Sequence, residues 1–248
     1  MIQKAGVNVL TDPVFGDRSF GVFFMGPKRY VPHVIDYQKL PKIDYVIISH
    51  NHYDHLDSVA TQVLGNGPTY LVPLGLKDWY LDQGIAQAKV QEFDWGDKAD
   101  YNELKVQALS AQHWSARGIF DRRETLWASW ALNIGGRDIW FAGDTGYNPI
   151  QFKKIGEKAG PFDLALIPIG AYEPRSFMKT YHVTPEEAIL IHQDVNAKKS
   201  IGMHWGTFPL TAEAPYEPVE ELARQREKHG VSREEFSEMV MGQTLTIP

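Results

Sequence analysis

The chain contains no cysteine among its 248 residues. A disulfide framework and a thiolate metal ligand are therefore excluded, and any metal must be held by His, Asp or Glu. No stretch reaches the roughly 18 continuous apolar residues of a membrane-spanning helix. Residues 1–7 also lack the apolar core of a signal peptide. These absences favour a cytoplasmic protein, whose association with a membrane, if there is one, is peripheral.

An excess of basic residues is also absent, since 25 Lys and Arg stand against 31 Asp and Glu, for a net charge of −6. A nucleic-acid-binding protein needs a basic face that neutralises phosphates, so we expect no nucleic-acid partner, although a local basic pocket is still allowed. A hydrophobic content of 43% and a charged content of 23% are typical of a soluble globular protein. No linker or low-complexity segment interrupts the chain, which favours a single domain over residues 1–248.

Predicted strands and helices alternate along the chain, which indicates an α/β fold. Apolar and β-branched runs predict strands at residues 7–10, 45–49, 70–73, 90–93, 104–108, 127–134, 139–143, 164–169, 200–204 and 243–247. Helices are predicted at residues 58–64, 76–83, 148–158, 185–195 and 219–229. The fourth helix begins with Thr184, Pro185 and Glu187, the residue types of a capping box with proline at the first helical position.

Residues 50–55 place three of the chain's 9 histidines and one aspartate in the pattern H-x-H-x-D-H. The motif follows an apolar run that predicts a buried strand, and imidazole and carboxylate are ligands that zinc, iron and manganese accept. His50 and His52 project to the same side of an extended chain, while Asp54 and His55 come later and can address a second ion. A polar loop with coincidental histidines is the alternative.

One loop cannot complete two metal sites, so further ligands are expected after other strands. His113, Asp144 and His204 each follow a predicted strand. A lone residue of this kind is usually a cap or a hydrogen-bonded surface group, but the three share one position relative to their strands. Together with the motif they supply enough imidazole and carboxylate groups for two ions with an open position between them.

Taken in order, H-x-H-x-D-H, His113, Gly143-Asp144-Thr145 and His204 resemble the metallo-β-lactamase superfamily. That family has an αββα sandwich fold, and its members are mostly dinuclear zinc hydrolases. Six segments resemble more narrowly the branch of N-acyl-phosphatidylethanolamine phospholipase D and its RomA-like bacterial relatives. They are LTDPVF at 10–15, MGPKR at 25–29, ISHNHYDHLD at 48–57, YEPR at 172–175, HVTPEEA at 182–188 and MHWGTF at 203–208. The family carries a further strand and a Gly-His-(Ser/Ala)-Thr-type segment before residue 10. This segment is missing here, so the completeness of the first sheet stays open.

The resemblance implies two zinc ions, with a shared hydroxide that attacks an electrophilic phosphorus or carbonyl. It assigns one ion to His50, His52 and His113, the second to Asp54, His55 and His204, and the bridge between them to Asp144. Asp12 and Asp57 fall where carboxylates orient ligating imidazoles, with turn and helix-cap roles as the alternative.

Three side chains are candidates for catalytic roles besides metal binding: Asp54, His182 and Arg175. Tyr172 is a further candidate helper beside the metals. Arg175 suits an anionic substrate because guanidinium grips phosphate in a bidentate way, and a surface salt bridge is its alternative role. His182 precedes a predicted helix start, so a structural role near the cap is its alternative.

The resemblance implies a phosphodiesterase of phospholipase D type that acts on N-acyl-phosphatidylethanolamine-like lipids. The alternatives are a hydrolase of a small soluble lactone or phosphorylated metabolite, and a metal-binding protein without hydrolytic activity. The aromatic segment at residues 20–25 is expected to receive acyl chains through Phe20, Phe23, Phe24 or Met25, and a loop core or a membrane-touching surface are its other interpretations. A homodimer stays open.

Overall fold

The computed structural model describes residues 1–20, 25–33 and 35–247. The strands are β1 Ile2–Lys4, β2 Val7–Thr11, β3 Tyr45–Ile47, β4 Thr69–Pro73, β5 Val90–Phe93, β6 Lys98–Asp100, β7 Leu104–Leu109, β8 Ser129–Ile134, β9 Arg137–Phe141, β10 Leu164–Pro168, β11 Ser200–Met203 and β12 Phe236–Glu238. The α-helices are α1 Ser58–Leu64, α2 Lys77–Asp82, α3 Pro149–Ala159, α4 Arg175–Met178, α5 Pro185–Asp194 and α6 Glu217–His229. Single 3-10 turns occur at Tyr37–Lys39 and Gln87–Lys89.

Two mixed sheets contain all of these strands. The first has the order β1-β2-β3-β4-β5, in which β1 is antiparallel to β2 and the others run parallel. The second has the order β12-β11-β10-β9-β8-β7-β6. Strands β9 to β12 are parallel in it, and β6 to β9 pair in antiparallel fashion.

Three apolar clusters hold the layers together. Residues of both sheets, such as Val9, Ile47, Trp130 and Phe141, form the central cluster. A second cluster packs β9 and β10 against α3, α5 and α6, and a third packs the first sheet against α1 and α2. The order of layers is therefore helix, sheet, sheet, helix, and the predicted αββα sandwich is confirmed.

Local sequence explains the helix starts nearest the centre of the molecule. Thr184 Oγ1 accepts from Glu187 N at 3.2 Å, and the Glu187 carboxylate accepts from Thr184 N at 2.9 Å, so the predicted capping box is present at α5. Asp57 caps α1 by accepting from Ala60 N at 3.0 Å.

The prediction of a strand at residues 243–247 is wrong. Leu245 and Ile247 pack against the central cluster without strand pairing, and β12 takes the sheet edge beside β11 instead. The prediction failed because alternating apolar residues signal burial on one side, which an irregular segment can also satisfy. Strands β1, β6 and β12 and helix α4 were not predicted. Each is only three or four residues long, and none has more than one buried residue.

Within the described residues, no helix combines the length and the apolar character needed to cross a bilayer. The apolar segment at residues 20–25 is described only at its two ends. Phe20 is 45% and Met25 50% exposed, while the expectation for Phe23 and Phe24 lies outside the described residues.

Candidate metal centre

Loops at the carboxyl ends of strands bring the candidate ligands together. His50, His52, Asp54 and His55 follow β3, while His113, Asp144 and His204 follow β7, β9 and β11 of the second sheet. Two hydrogen bonds join the sheets at this edge: Trp130 Nε1 donates to Ile48 O at 2.9 Å, and Ala128 N donates to Ser49 O at 2.8 Å. The loop after β3 is thus fixed to the second sheet where its histidines begin.

Two close approaches of the backbone shape this edge. Gly143 has φ +60°, and a Cβ on it would lie 2.5 Å from the Cβ of Ser49. A Cβ on Gly170 would overlap the carbonyl oxygen of His204. His204 itself has a left-handed backbone with φ 59°, which is uncommon outside glycine and typical of functional positions.

The first ligand group contains three converging imidazole nitrogens. His50 Nε2 lies 2.8 Å from His52 Nδ1, and His113 Nε2 lies 3.3 Å from the same atom. His52 therefore faces the group through Nδ1, while the other two face it through Nε2. His50 and His113 are 1% and 3% exposed, so water cannot easily solvate these nitrogens.

Hydrogen bonds on the far side of two rings fix their tautomers. His113 Nδ1 lies 3.0 Å from the carbonyl oxygen of Tyr181, which can only accept, so this nitrogen carries the proton. His50 Nδ1 lies 2.8 Å from Ser49 Oγ, whose own proton is donated to Asp12 Oδ2 at 2.5 Å. The Nε2 atoms of both rings therefore point lone pairs into the group.

The second ligand group pairs two carboxylates with two imidazoles. His55 Nε2 lies 3.1 Å from Asp144 Oδ2 and 3.4 Å from Asp54 Oδ2. His204 Nε2 lies 3.1 Å from Asp54 Oδ2 and 3.1 Å from His55 Nε2. Asp144 Oδ2 also lies within 4.0 Å of His50 Nε2 and 3.9 Å of His113 Nε2 in the first group. Asp144 is thus the side chain that faces both groups.

The two groups differ in their charge. Burial lowers the pKa of His52 to about 4 and holds the pKa values of His50 and His113 well below the usual 6.5, which keeps these rings neutral. Burial also disfavours a charge on His55, but the carboxylates of Asp144, Asp54 and Asp12 outweigh it and raise the pKa of His55 well above 6.5. The second group therefore binds protons that a metal ion could replace.

This arrangement fits one or more divalent cations. At most one proton can lie between the three nitrogens of the first group, since two of the rings hold their protons on the far side, so the remaining lone pairs face one another. Asp144 Oδ1 is buried without a hydrogen-bond partner and is an additional acceptor. Imidazoles and carboxylates are the donor set that zinc accepts, and the far-side nitrogens of His50, His55 and His113 have partners that orient these three rings.

Asp12 and Asp57, paired in the sequence-based hypothesis, have different roles. Asp12 Oδ2 accepts from His55 Nδ1 at 2.6 Å, so Asp12 orients His55 directly and His50 through Ser49. The Asp57 carboxylate accepts from backbone amides, including those of Phe15 at 2.8 Å and Gly16 at 2.9 Å, and has no bond to a histidine among the described residues. The helix-cap alternative is thus the right one for Asp57.

His182 and Arg175 also differ in whether they face the ligand groups. His182 Nδ1 lies 3.9 Å from Asp144 Oδ2 and has no hydrogen-bond partner, so this ring faces the centre. The Arg175 guanidinium is instead paired with both Glu187 oxygens, at 2.9 Å and 2.8 Å, and donates to His182 O at 2.8 Å. This corrects the phosphate-gripping hypothesis, since Arg175 supports the backbone of His182. The Tyr172 hydroxyl likewise faces away, to Glu217 at 3.2 Å.

A cavity of about 380 Å³ opens from the second ligand group. Asp54, His55 and His204 form one end of it. The rest of the lining is mixed. Its apolar side chains include Val14, Leu166, Met203, Phe208 and Leu210, and its polar ones include Thr11, Thr207, Thr211 and Glu213. Arg29 is the only Lys or Arg among the described lining residues. Its guanidinium lies 4.9 Å from the centre of the Phe208 ring.

Sequence reasoning did not identify Arg29, Ser49 or Arg117. Arg117 donates from Nη1 to Asn51 O at 2.8 Å and to Leu56 O at 2.7 Å, which ties the loop of His113 to the loop of the H-x-H-x-D-H motif. An arginine or a serine has many surface roles, and only the fold shows that these three lie beside the ligands.

Comparisons with known proteins show sequence similarity along most of the chain. Residues 7–205 match the model of the β-lactamase superfamily domain. The chain is 45% identical over 233 residues to N-acyl-phosphatidylethanolamine-hydrolyzing phospholipase D 1 of Caenorhabditis elegans, covering 90% of this chain and 65% of that protein. It is 37% identical to the mitochondrial N-acyl-phosphatidylethanolamine-hydrolyzing phospholipase D of Saccharomyces cerevisiae, covering 88% of this chain and 47% of that protein. The chain thus spans less than two thirds of either relative.

A solved structure shows the same fold at low identity. The isothiocyanate hydrolase from Delia radicum gut bacteria superposes with a TM-score of 0.75 and 18% identity, covering 99% of this chain and 94% of that one.

Proposed function

The chain belongs to the β-lactamase superfamily, in the branch of the N-acyl-phosphatidylethanolamine-hydrolyzing phospholipases D, and we propose that it is a dinuclear zinc phosphodiesterase of that type. The observation that carries the proposal is the position of Asp144. Its Oδ2 lies within 4.0 Å of His50 Nε2 and 3.9 Å of His113 Nε2 on one side, and it belongs to the Asp54, His55 and His204 group on the other. Two ions bound there would lower the pKa of a water molecule and stabilise negative charge on a substrate oxygen.

His50, His52 and His113 would hold one ion, Asp54, His55 and His204 the other, and Asp144 both. Asp12 and Ser49 contribute by keeping the far-side protons on His50 and His55, so that the facing nitrogens stay available as ligands. Burial of His50, His55, His113 and Asp144 strengthens the electrostatic interaction of the group with a bound anion.

The cavity supports a lipid phosphodiester as the substrate. With the phosphate at the ligand groups, an acyl chain can lie along Val14, Leu166, Met203 and Leu210, where burial of each methylene contributes about 0.8 kcal/mol. Of the residues expected to receive acyl chains, Phe20 and Met25 do not line the cavity, and the expectation for Phe23 and Phe24 lies outside the described residues. Arg29 at the cavity wall donates from Nε to Gly16 O at 2.9 Å and from Nη2 to Val14 O at 2.5 Å, so it contributes a fixed positive charge near the anionic headgroup.

His182 is the candidate for handling a proton on the substrate. Its ring is 12% exposed and has an unpartnered Nδ1 beside Asp144. Burial lowers the pKa of His182, so the neutral ring can donate a hydrogen bond through one nitrogen or relay a proton to the leaving oxygen. In the overall reaction water adds to phosphorus, the bond from phosphorus to the N-acylethanolamine oxygen breaks, and phosphatidic acid and N-acylethanolamine form.

Two measurements test the proposal. Elemental analysis of zinc-loaded protein should give close to two ions per chain, and Asp144→Asn and His52→Ala should reduce that number and abolish hydrolysis with an unchanged circular dichroism spectrum. His229→Ala is the matched control, because His229 lies at the end of α6 and pairs with Glu186 instead of the cluster. Full hydrolysis in either cluster variant would contradict the assignment.

A substrate panel tests the lipid. N-acyl-phosphatidylethanolamine should be hydrolysed faster than soluble phosphodiesters or lactones, and Leu210→Trp should impair long-chain substrates far more than short-chain ones because it fills the cavity. Leu81→Trp, on α2 and away from the cavity lining, is the control. Faster turnover of a soluble ester, with equal effects of Leu210→Trp on both lengths, would favour a small soluble substrate.

A further inference from the structure

The loop between β7 and β8 carries two large apolar side chains at its tip. Ile119 is 89% and Phe120 is 91% exposed, the highest values for large hydrophobic residues in the described part of the chain. Single exposed apolar residues are common, but two adjacent ones on a projecting tip are typical of an interaction site.

Hydrogen bonds within the loop hold this tip in its exposed position. The Asp121 carboxylate accepts from Arg117 N at 2.9 Å and from Gly118 N at 2.8 Å. At the base of the loop, Arg123 N donates to Ser115 O at 2.8 Å. These bonds close the loop on itself, so Ile119 and Phe120 are held away from the core by the backbone that carries them.

The base of the loop meets the exposed end of a second apolar segment. The Arg117 guanidinium lies 4.1 Å above the Tyr53 ring, and the Tyr53 hydroxyl donates to Arg117 O at 2.6 Å. The Phe20 ring lies 5.1 Å from the Tyr53 ring and is 45% exposed. Phe20 and the tip therefore belong to one face, with Tyr53 between them.

Positive charge flanks the tip. Arg122 and Arg123 are both exposed, and the Arg122 guanidinium lies 4.3 Å from the centre of the Trp114 ring. The loop of residues 115–125 carries three arginines, Arg117, Arg122 and Arg123. Its two acids are Asp121 and Glu124, so the loop has a net charge of 3 − 2 = +1, opposite in sign to the net charge of −6 of the chain.

We propose that Ile119, Phe120 and Phe20, with Arg122 and Arg123, form a docking surface for a bilayer that contains anionic phospholipid. The choice of a lipid partner rests on the proposed function. A stable protein–protein interface needs about 1,000 Å² with good complementarity, which a two-residue tip does not offer. A bilayer requires only that a few apolar side chains enter the interface while cations meet the headgroups.

The geometry connects this surface to the metal centre. Trp114 follows the ligand His113, and its ring lies 4.6 Å from that of His52. Arg122 stacks on the same Trp114 and donates to the Tyr181 hydroxyl at 3.2 Å. Insertion of the tip would therefore bring the ligand groups to the lipid surface, where a phosphodiester substrate resides.

Co-sedimentation of the intact chain with vesicles tests the surface. The protein should bind vesicles of phosphatidylcholine with phosphatidylglycerol better than vesicles of phosphatidylcholine alone. The double variant I119S/F120S should lower the binding constant about tenfold or more, because two large side chains no longer enter the bilayer. R122Q/R123Q should abolish the preference for anionic vesicles. Val240→Ser, 71% exposed after β12, is the control and should bind like the unaltered protein.

Metal content and thermal midpoint confirm that each variant is folded. Binding of I119S/F120S equal to that of the unaltered protein, or no binding of the unaltered protein to either vesicle, would overturn the proposal. Hydrolysis of detergent-dispersed lipid without vesicle binding would refute the docking surface alone. Vesicle binding that depends on the tip, without phosphodiester hydrolysis, would support the surface and contradict the proposed function.

Discussion

Replacing Asp12 with asparagine should weaken zinc binding about 10- to 100-fold while the fold is retained. Asp12 is not a proposed ligand, but its carboxylate holds His55 directly and His50 through Ser49. Its backbone has φ 40°, a left-handed conformation that asparagine tolerates at least as well as aspartate, so the substitution adds little backbone strain.

The magnitude follows from the three bonds that Asp12 accepts. Oδ1 accepts from Ser49 N at 2.7 Å, while Oδ2 accepts from Ser49 Oγ at 2.5 Å and from His55 Nδ1 at 2.6 Å. An asparagine places an NH₂ group at one of these positions, so a donor then faces a donor. The lost charge-assisted bond is worth about 1.5–3 kcal/mol, or roughly one to two powers of ten in affinity. If the NH₂ faces His55, that ring must move its proton to Nε2, the nitrogen that faces Asp144.

The assay is a zinc titration of metal-free protein against a chelator of known affinity, with elemental analysis of the product. Asp57→Asn is the matched control, because Asp57 is similarly buried and bonds backbone amides instead of histidines. It should lower the thermal midpoint and keep the zinc affinity. The reasoning is refuted if Asp12→Asn binds zinc like the unaltered protein, or if Asp57→Asn loses just as much affinity.

Three further outcomes are expected. Arg175→Met should lower the free energy of unfolding by about 1–3 kcal/mol and reduce kcat at full metal content, because His182 O loses the hydrogen bond from Arg175. An unchanged kcat would contradict a role of His182 in the reaction. Zinc binding should release protons at pH 7 and weaken as pH falls, because the raised pKa values of His55 and His204 mean that the metal displaces bound protons. Calorimetry in two buffers of different ionisation enthalpy measures the number of protons released per zinc ion, and a release of no protons would contradict the prediction. Thr184→Ala should destabilise by about 1 kcal/mol in urea unfolding through loss of the capping box, and a change below the error would remove that role.

Apolar periodicity was enough to predict the elements that build the layers. Buried runs such as those of β4 and β10 have almost no exposed residue, so their sequence reads as a continuous apolar segment. The edge strands carry no such signal: β1 and β6 are largely exposed, and only their neighbours make them strands. Pairing of the backbone at a sheet edge depends on tertiary contacts, which local residue types do not encode.

In the candidate site, too, local sequence patterns could be predicted and contacts between distant segments could not. The spacing of His50, His52, Asp54 and His55 is local, so the sequence could predict a metal loop. The different uses of Asp12 and Asp57 depend on which loop lies against which histidine, and both are aspartates beside a predicted turn. Arg175 shows the limit most clearly, because its residue type suits a phosphate, yet the fold places the Glu187 carboxylate against it.

Strand direction explains why one edge collects so many polar groups. In the second sheet β7, β9, β10 and β11 all run in the same direction, since β8 is antiparallel to both of its neighbours. Their carboxyl ends therefore lie at one edge, and the segments that follow them deliver His113, Asp144, His182 and His204 in turn. The loop after β3 enters the same edge from the first sheet. The convergence of candidate metal ligands at this position needs no long-range coincidence. Each loop of the second sheet contributes one side chain, the loop after β3 contributes four, and the parallel strands give these loops a common edge.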